Sequence, residues 1–130
     1  MHIPNSDCPF CKKAIDGSYL KELGTVVAFA DIYPVTPGHM LIIPRRHTPD
    51  FFGMTPEEHH DMVQLIFALK EQLCLENPDI SGFNIGVNCG ISAGQTVFHA
   101  HTHLIPRRDG DTDHPRGGVR GIIPHKQSYP

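Results

Sequence analysis

Histidines at every second position, His99-Ala100-His101-Thr102-His103, constrain this chain more than any other feature. A period of two belongs to a β-strand, in which residues i, i+2 and i+4 share one face. At about 3.3 Å of rise per residue the three imidazoles stand about 6.6 Å apart. Three polar rings side by side waste a surface a strand would otherwise bury. The pattern therefore points to chemistry, and the face can hold a phosphate, a metal, or both.

The 130 residues suffice for a single domain, read as residues 1–130. A formal charge of −3 and a pI near 6.3 exclude a general nucleic-acid binder. No apolar run reaches membrane-spanning length, so no membrane partner is expected. The stretch Met1-His2-Ile3-Pro4-Asn5-Ser6-Asp7-Cys8 has neither a cationic nor an apolar secretory region, which predicts a cytoplasmic protein with reduced or metal-bound cysteines. Of the ten histidines, His2, His59, His60, His114 and His125 carry no pattern that sets them above surface residues.

Apolar-rich segments bounded by Gly, Pro or Asn predict strands over 25–31, 38–43, 82–88 and 98–105. Pro34-Val35-Thr36-Pro37-Gly38 joins the first two as a hairpin turn. Thr55, Pro56 and Glu58 form an N-cap, a first-position proline and a capping box. Met62, Leu65, Ile66, Leu69 and Leu73 then repeat at helical spacing up to Asn77-Pro78, giving one long amphipathic helix. A shorter helix is expected over 12–20, weakened by Gly17. The class is α+β. The tail, 106–130, reads as mainly solvated, with Val119, Ile122 and Ile123 able to pack on the sheet or on a partner. Its arginines, Arg107, Arg108, Arg116 and Arg120, read as solvated rather than as ligands for a polyphosphate.

Two chemistries remain for the histidine face. Three histidines and an open water position make a catalytic zinc site. Against this stands the segment before the strand, Asn88-Cys89-Gly90-Ile91-Ser92-Ala93-Gly94-Gln95-Thr96. Its glycines, hydroxyls and amides suit an anion cradle. An imidazole is largely neutral at pH 7 and can attack phosphorus to form a covalent intermediate. Flanking imidazoles can orient the attacker, protonate a leaving group or stabilise charge. The middle ring, His101, is best placed to attack.

His-x-His-x-His with two apolar residues after it and Gly94-Gln95-Thr96-Val97 before it resembles the histidine-triad (HIT) family of nucleotide hydrolases and transferases. The likeness extends through Ala28-Phe29-Ala30-Asp31-Ile32 and Pro37-Gly38-His39-Met40-Leu41-Ile42-Ile43-Pro44-Arg45-Arg46-His47. Thr102 departs from the family's usual apolar residue and should face away from the site. The resemblance implies a sheet of about five antiparallel strands with one long and one short helix, and a homodimer. It implies His101 as the nucleophile at an α-phosphate, with His103 and His39 orienting it. Asn88, Gly94, Gln95 and Thr96 would contact phosphate, Asp31 ribose, and Phe10, Ile32 and Leu41 the base. Read alone, Asp31 is equally a turn cap, and Ile32 and Leu41 equally ordinary core residues. The substrate implied is adenosine-like, a dinucleoside polyphosphate in preference to a nucleoside phosphoramidate, and Mg²⁺ can accompany a polyphosphate. A nucleotide-binding regulator without turnover is the rival from another class.

Cys8-Pro9-Phe10-Cys11 has too little chain before it for the βαβ setting of a redox Cys-x-x-Cys, and fits half of a tetrahedral zinc shell. Some members of the family complete such a site with a histidine after the second strand and the first histidine of the triad, here His47 and His99. The competing assignment leaves His99 to contact the leaving group.

Overall fold

The computed structural model describes residues 7–130; His2 and most of the stretch read as non-secretory lie outside them. Five strands, β1 (Lys21–Leu23), β2 (Val26–Ala30), β3 (Met40–Pro44), β4 (Ile80–Val87) and β5 (Thr102–Arg108), form one sheet in the order β1-β2-β3-β5-β4. Every neighbouring pair is antiparallel, as expected. Helices α1 (Pro9–Asp16) and α2 (Pro56–Glu76) complete the α+β frame. No sequence expectation covers β1. Lys21-Glu22-Leu23 has a single apolar residue and is a strand because β2 offers it an edge.

Alternation along the strands divides the core in two. Val26, Ala28, Met40, Ile42 and Leu104 pack with Met62, Leu65, Leu69 and Leu73 of α2. On the other face Val27, Phe29, Leu41 and Ile43 meet Phe10, Ala14 and Tyr19. The β3–β5 register pairs Leu41 with His103 and Ile42 with Thr102. His103 therefore stands on the α1 face while Thr102 points beneath α2, where its hydroxyl donates to Met62 Sδ at 2.9 Å. The sequence expectation for Thr102 holds.

The long helix begins as its capping box requires. Thr55 Oγ1 accepts from Glu58 N–H, and Glu58 Oε1 accepts from Thr55 N–H. Arg46 adds a forked pair to the buried Glu58 carboxylate at 2.9 and 3.2 Å. Burial raises the pKa of Glu58, but Arg46 and Thr55 outweigh it and the group stays below its usual value. These bonds tie the end of β3, just before His47, to the start of α2.

Three boundaries differ from expectation. The short helix covers Pro9–Asp16 rather than 12–20, because Cys8 caps it, its Sγ accepting from Cys11 N–H, and Gly17 at φ 72° ends it in the left-handed region. The triad strand starts at Thr102 rather than 98. Upstream, Ala100 N–H donates to Thr48 O at 2.8 Å, which draws the chain off the sheet towards the segment after β3. The tail starts later than expected and is mainly solvated as expected, with Val119, Ile122 and Ile123 all at least half exposed. Pro106, Arg107 and Arg108 belong to β5, and the 3-10 turn Gly118–Ile122 packs on β4. Arg107 bonds Asp111 and Asn84, Arg108 bonds Asp79, and Arg116 and Arg120 lie against the Tyr129 ring.

Candidate active site and metal cluster

His99 and His101 precede β5 and His103 lies within it, so the triad straddles the point where the chain joins the sheet. The His101 and His103 ring centroids are 5.3 Å apart. Phe10, carried by α1, packs edge-on to His101 at 5.0 Å and to Phe29 at 5.4 Å. Their hydrogen bonds determine which nitrogen carries each proton. His101 Nδ1 is 2.9 Å from His99 O. A carbonyl only accepts, so Nδ1 is the N–H and Nε2 keeps its lone pair.

A second chain of bonds supports His103. Val35 N–H donates to His39 Nδ1 at 3.0 Å, which makes His39 Nε2 the N–H. That Nε2 lies 2.9 Å from His103 Nδ1 and 3.5 Å from Asp31 Oδ2. His103 Nδ1 accepts, leaving its Nε2 as a donor. Burial pushes His39 below the usual histidine value, opposed by Asp31. Burial, then His101 and His39, push His103 down as well, again against Asp31. Asp31, His39 and His103 bring three metal-ligating atoms together, yet a metal on His39 Nε2 would force the ring's proton onto Nδ1, against the Val35 N–H. This trio is built to pass hydrogen bonds.

The other cluster has the opposite character. Cys8, Cys11, His47 and His99 each offer a ligand atom within 4.8 Å of the rest and can hold a metal ion. His99 Nδ1 lies 3.6 Å from Cys8 Sγ and 3.4 Å from Cys11 Sγ, and His47 Nδ1 lies 3.1 Å from Cys11 Sγ. His99 Nε2 donates to Pro44 O at 2.7 Å, so Nδ1 presents its lone pair to the thiols. Burial pushes His99 down to about 4. An imidazole kept neutral and turned this way is prepared as a ligand.

Two cavities meet at the triad and share Asp31, Tyr33, Asn88 and His103. One, about 410 Å³, is walled by Phe10, Phe29, Ile32, Leu41, Val97 and His101, with Gly94, Thr96 and Lys13 also lining it. The other, about 490 Å³, lies between β4 and the tail, against His39, Asn84, Ile85 and Val119. Asp31 serves two purposes. Its Oδ1 caps the turn by accepting from Tyr33 N–H, and the side chain still lines both cavities. Ile32 is 74% exposed at the cavity mouth, which rules out a core role, whereas Leu41 is buried in the wall.

Gln95 departs from the expected phosphate contact. Its Oε1 accepts from Gly90 N–H at 2.8 Å and its Nε2 donates to Pro49 O and Val97 O. The buried amide braces the loop, which turns at Gly90 and Gly94 with φ of 91° and 93°. Tyr33 and Lys13 escape sequence reasoning, since neither belongs to a spaced motif and only the folded chain brings them to the cavity.

Fold and site together define a histidine-triad protein. Residues 12–110 match the HIT domain family, and the chain belongs to it. It is 41% identical over 84 residues to the bis(5'-nucleosyl)-tetraphosphatase (asymmetrical) of Schizosaccharomyces pombe, covering 65% of this chain and 46% of that protein. The crystal structure of a HIT family protein from Bacillus anthracis has a TM-score of 0.73 and 41% identity, over 82% of this chain and 77% of the other. A Zn-bound histidine-triad family protein from Mycobacterium smegmatis has a TM-score of 0.64 and 35% identity, over 81% and 78%.

Proposed function

We propose that this protein is a nucleotidyl hydrolase that attacks the α-phosphate of a nucleotide through His101. The observation that carries this reading is the His101 Nδ1–H bond to His99 O, which leaves Nε2 unprotonated beside Asn88, Gly94 and Thr96. The nucleoside occupies the cavity walled by Phe10, Ile32 and Leu41, with Asp31 accepting from ribose hydroxyls. The leaving group extends into the cavity walled by Asn84, Ile85 and Val119.

The Nε2 lone pair of His101 forms the N–P bond while the bond from phosphorus to the leaving oxygen breaks. The ring becomes cationic, and the His99 carbonyl already faces the Nδ1–H where that charge grows. His103, held by His39, donates its Nε2–H to the charged oxygens. Water then cleaves the N–P bond, releasing the nucleoside monophosphate and neutral His101. A dinucleoside polyphosphate is the preferred substrate class, since two cavities meet at the reacting ring and the tetraphosphatase relative acts on such a compound. Mg²⁺ can accompany the polyphosphate.

The Cys8, Cys11, His47 and His99 cluster holds a structural zinc in this reading. Zn–S and Zn–N bonds of about 2.3 and 2.0 Å in a tetrahedron separate S and N ligands by about 3.5 Å, close to the spacings found. Zinc there would fasten α1 to the triad segment. Two copies would join as a homodimer, as the resemblance implies.

Turnover of dinucleoside polyphosphates and nucleoside phosphoramidates, followed by product analysis, tests the reading. Release of a nucleoside monophosphate that is lost in His101→Asn supports it. Cleavage away from the α-phosphate, or full activity in His101→Asn, refutes it.

A further inference from the structure

The nucleoside cavity is apolar on most of its wall, with Pro9, Phe10, Phe29, Ile32, Leu41 and Val97 around it. Its carboxylate, Asp31, lies towards the triad, where it accepts from Tyr33 N–H and faces His39, with capacity left for the ribose. One lysine also lines it. Lys13, in the last turn of α1, is half-buried, and its ammonium lies 5.4 Å from the centroid of the Phe29 ring. Among the described residues the structure gives that ammonium no hydrogen-bond acceptor and no carboxylate. A lysine in a last helical turn favours the helix dipole wherever it points. That preference does not account for an ammonium folded over an aromatic wall of a ligand cavity rather than turned to solvent.

We infer that Lys13 selects the base, favouring one with a ring carbonyl, guanine above adenine, among the nucleotides this cavity accepts. An ammonium has three donors and no acceptor. Guanine offers O6 and N7 side by side as acceptors, whereas adenine sets an amine donor beside its N7. With a base in this cavity, Lys13 meets two acceptors in the first case and one acceptor next to a repelling amine in the second. The cation–π contact with Phe29 limits the ammonium's freedom before the base arrives. The inference rests on the proposed nucleotide function, concerns base choice alone, and departs there from the adenosine-like substrate that the family resemblance implies.

Calorimetric binding of GMP and AMP to the full-length protein reads this without turnover. Wild type should bind GMP about fivefold or more tightly than AMP, the low end for a well-placed two-acceptor contact. Lys13→Met should bring the ratio near one, Lys13→Glu should invert it, and Lys13→Arg should keep it. Equal affinity in wild type, or a ratio unmoved by Met and Glu, overturns the role of Lys13 and leaves the nucleotide reading intact. If neither nucleotide binds, the proposed function fails first and this inference falls with it.

Discussion

His99 holds His101 by its backbone while its own side chain points elsewhere: the His99 carbonyl accepts the His101 Nδ1–H at 2.9 Å, and the His99 ring faces Cys8 and Cys11. The residue that fixes the His101 tautomer is thus seated in the cluster that can hold a metal ion. Stability of the cluster and alignment of the His101 ring are joined through one peptide unit.

That coupling predicts a double effect for Cys11→Ser. It should lower bound zinc measured by elemental analysis and cut the thermal midpoint by about 10 °C or more, since losing even about 3 kcal/mol shifts a domain of this size by that much. Residual activity per folded molecule should also drop. Unchanged stability and activity in Cys11→Ser would disprove a structural role for the cluster.

His39 and His103 both lie below the ordinary histidine value of 6.5, chiefly through burial. The unfolded chain therefore binds more protons than the folded one at mildly acid pH. Their contribution to stability is complete above about pH 6.5 and diminishes as pH falls from there through the lowered folded values. Urea midpoints should decline between pH 7.5 and pH 5, and His39→Asn should flatten the slope. A pH slope of stability that His39→Asn leaves unchanged contradicts the lowered pair.

Gln95→Ala tests the loop brace. It leaves Gly90 N–H and the Pro49 and Val97 carbonyls without their partner, at a cost of about 1–3 kcal/mol. Denaturant unfolding should register the loss, with a raised KM because the loop carries Gly94 and Thr96. Were Gln95 a direct phosphate ligand instead, the change would weaken substrate binding and leave stability alone.

Features that depend on neighbouring residues in the chain were legible beforehand. Thr55, Pro56 and Glu58 define the start of α2, and alternation alone placed His101 and His103 on one face and Thr102 on the other. Features that depend on distant partners were not. β1 exists because β2 is beside it, and the start of β5 is set by Thr48. The family resemblance puts Gln95 against phosphate, but the fold gives its amide to Pro49 and Val97. Lys13 and Tyr33 enter the site only through packing.

The most direct test is to trap the intermediate. Full-length protein mixed with excess dinucleoside polyphosphate and quenched in alkaline denaturant, where an N–P bond survives, can be digested and read by mass spectrometry. The account predicts one nucleotidyl group on the peptide containing His101, formed no more slowly than turnover and absent in His101→Asn. Nucleoside monophosphate produced at the full rate with no adduct on that peptide would contradict it.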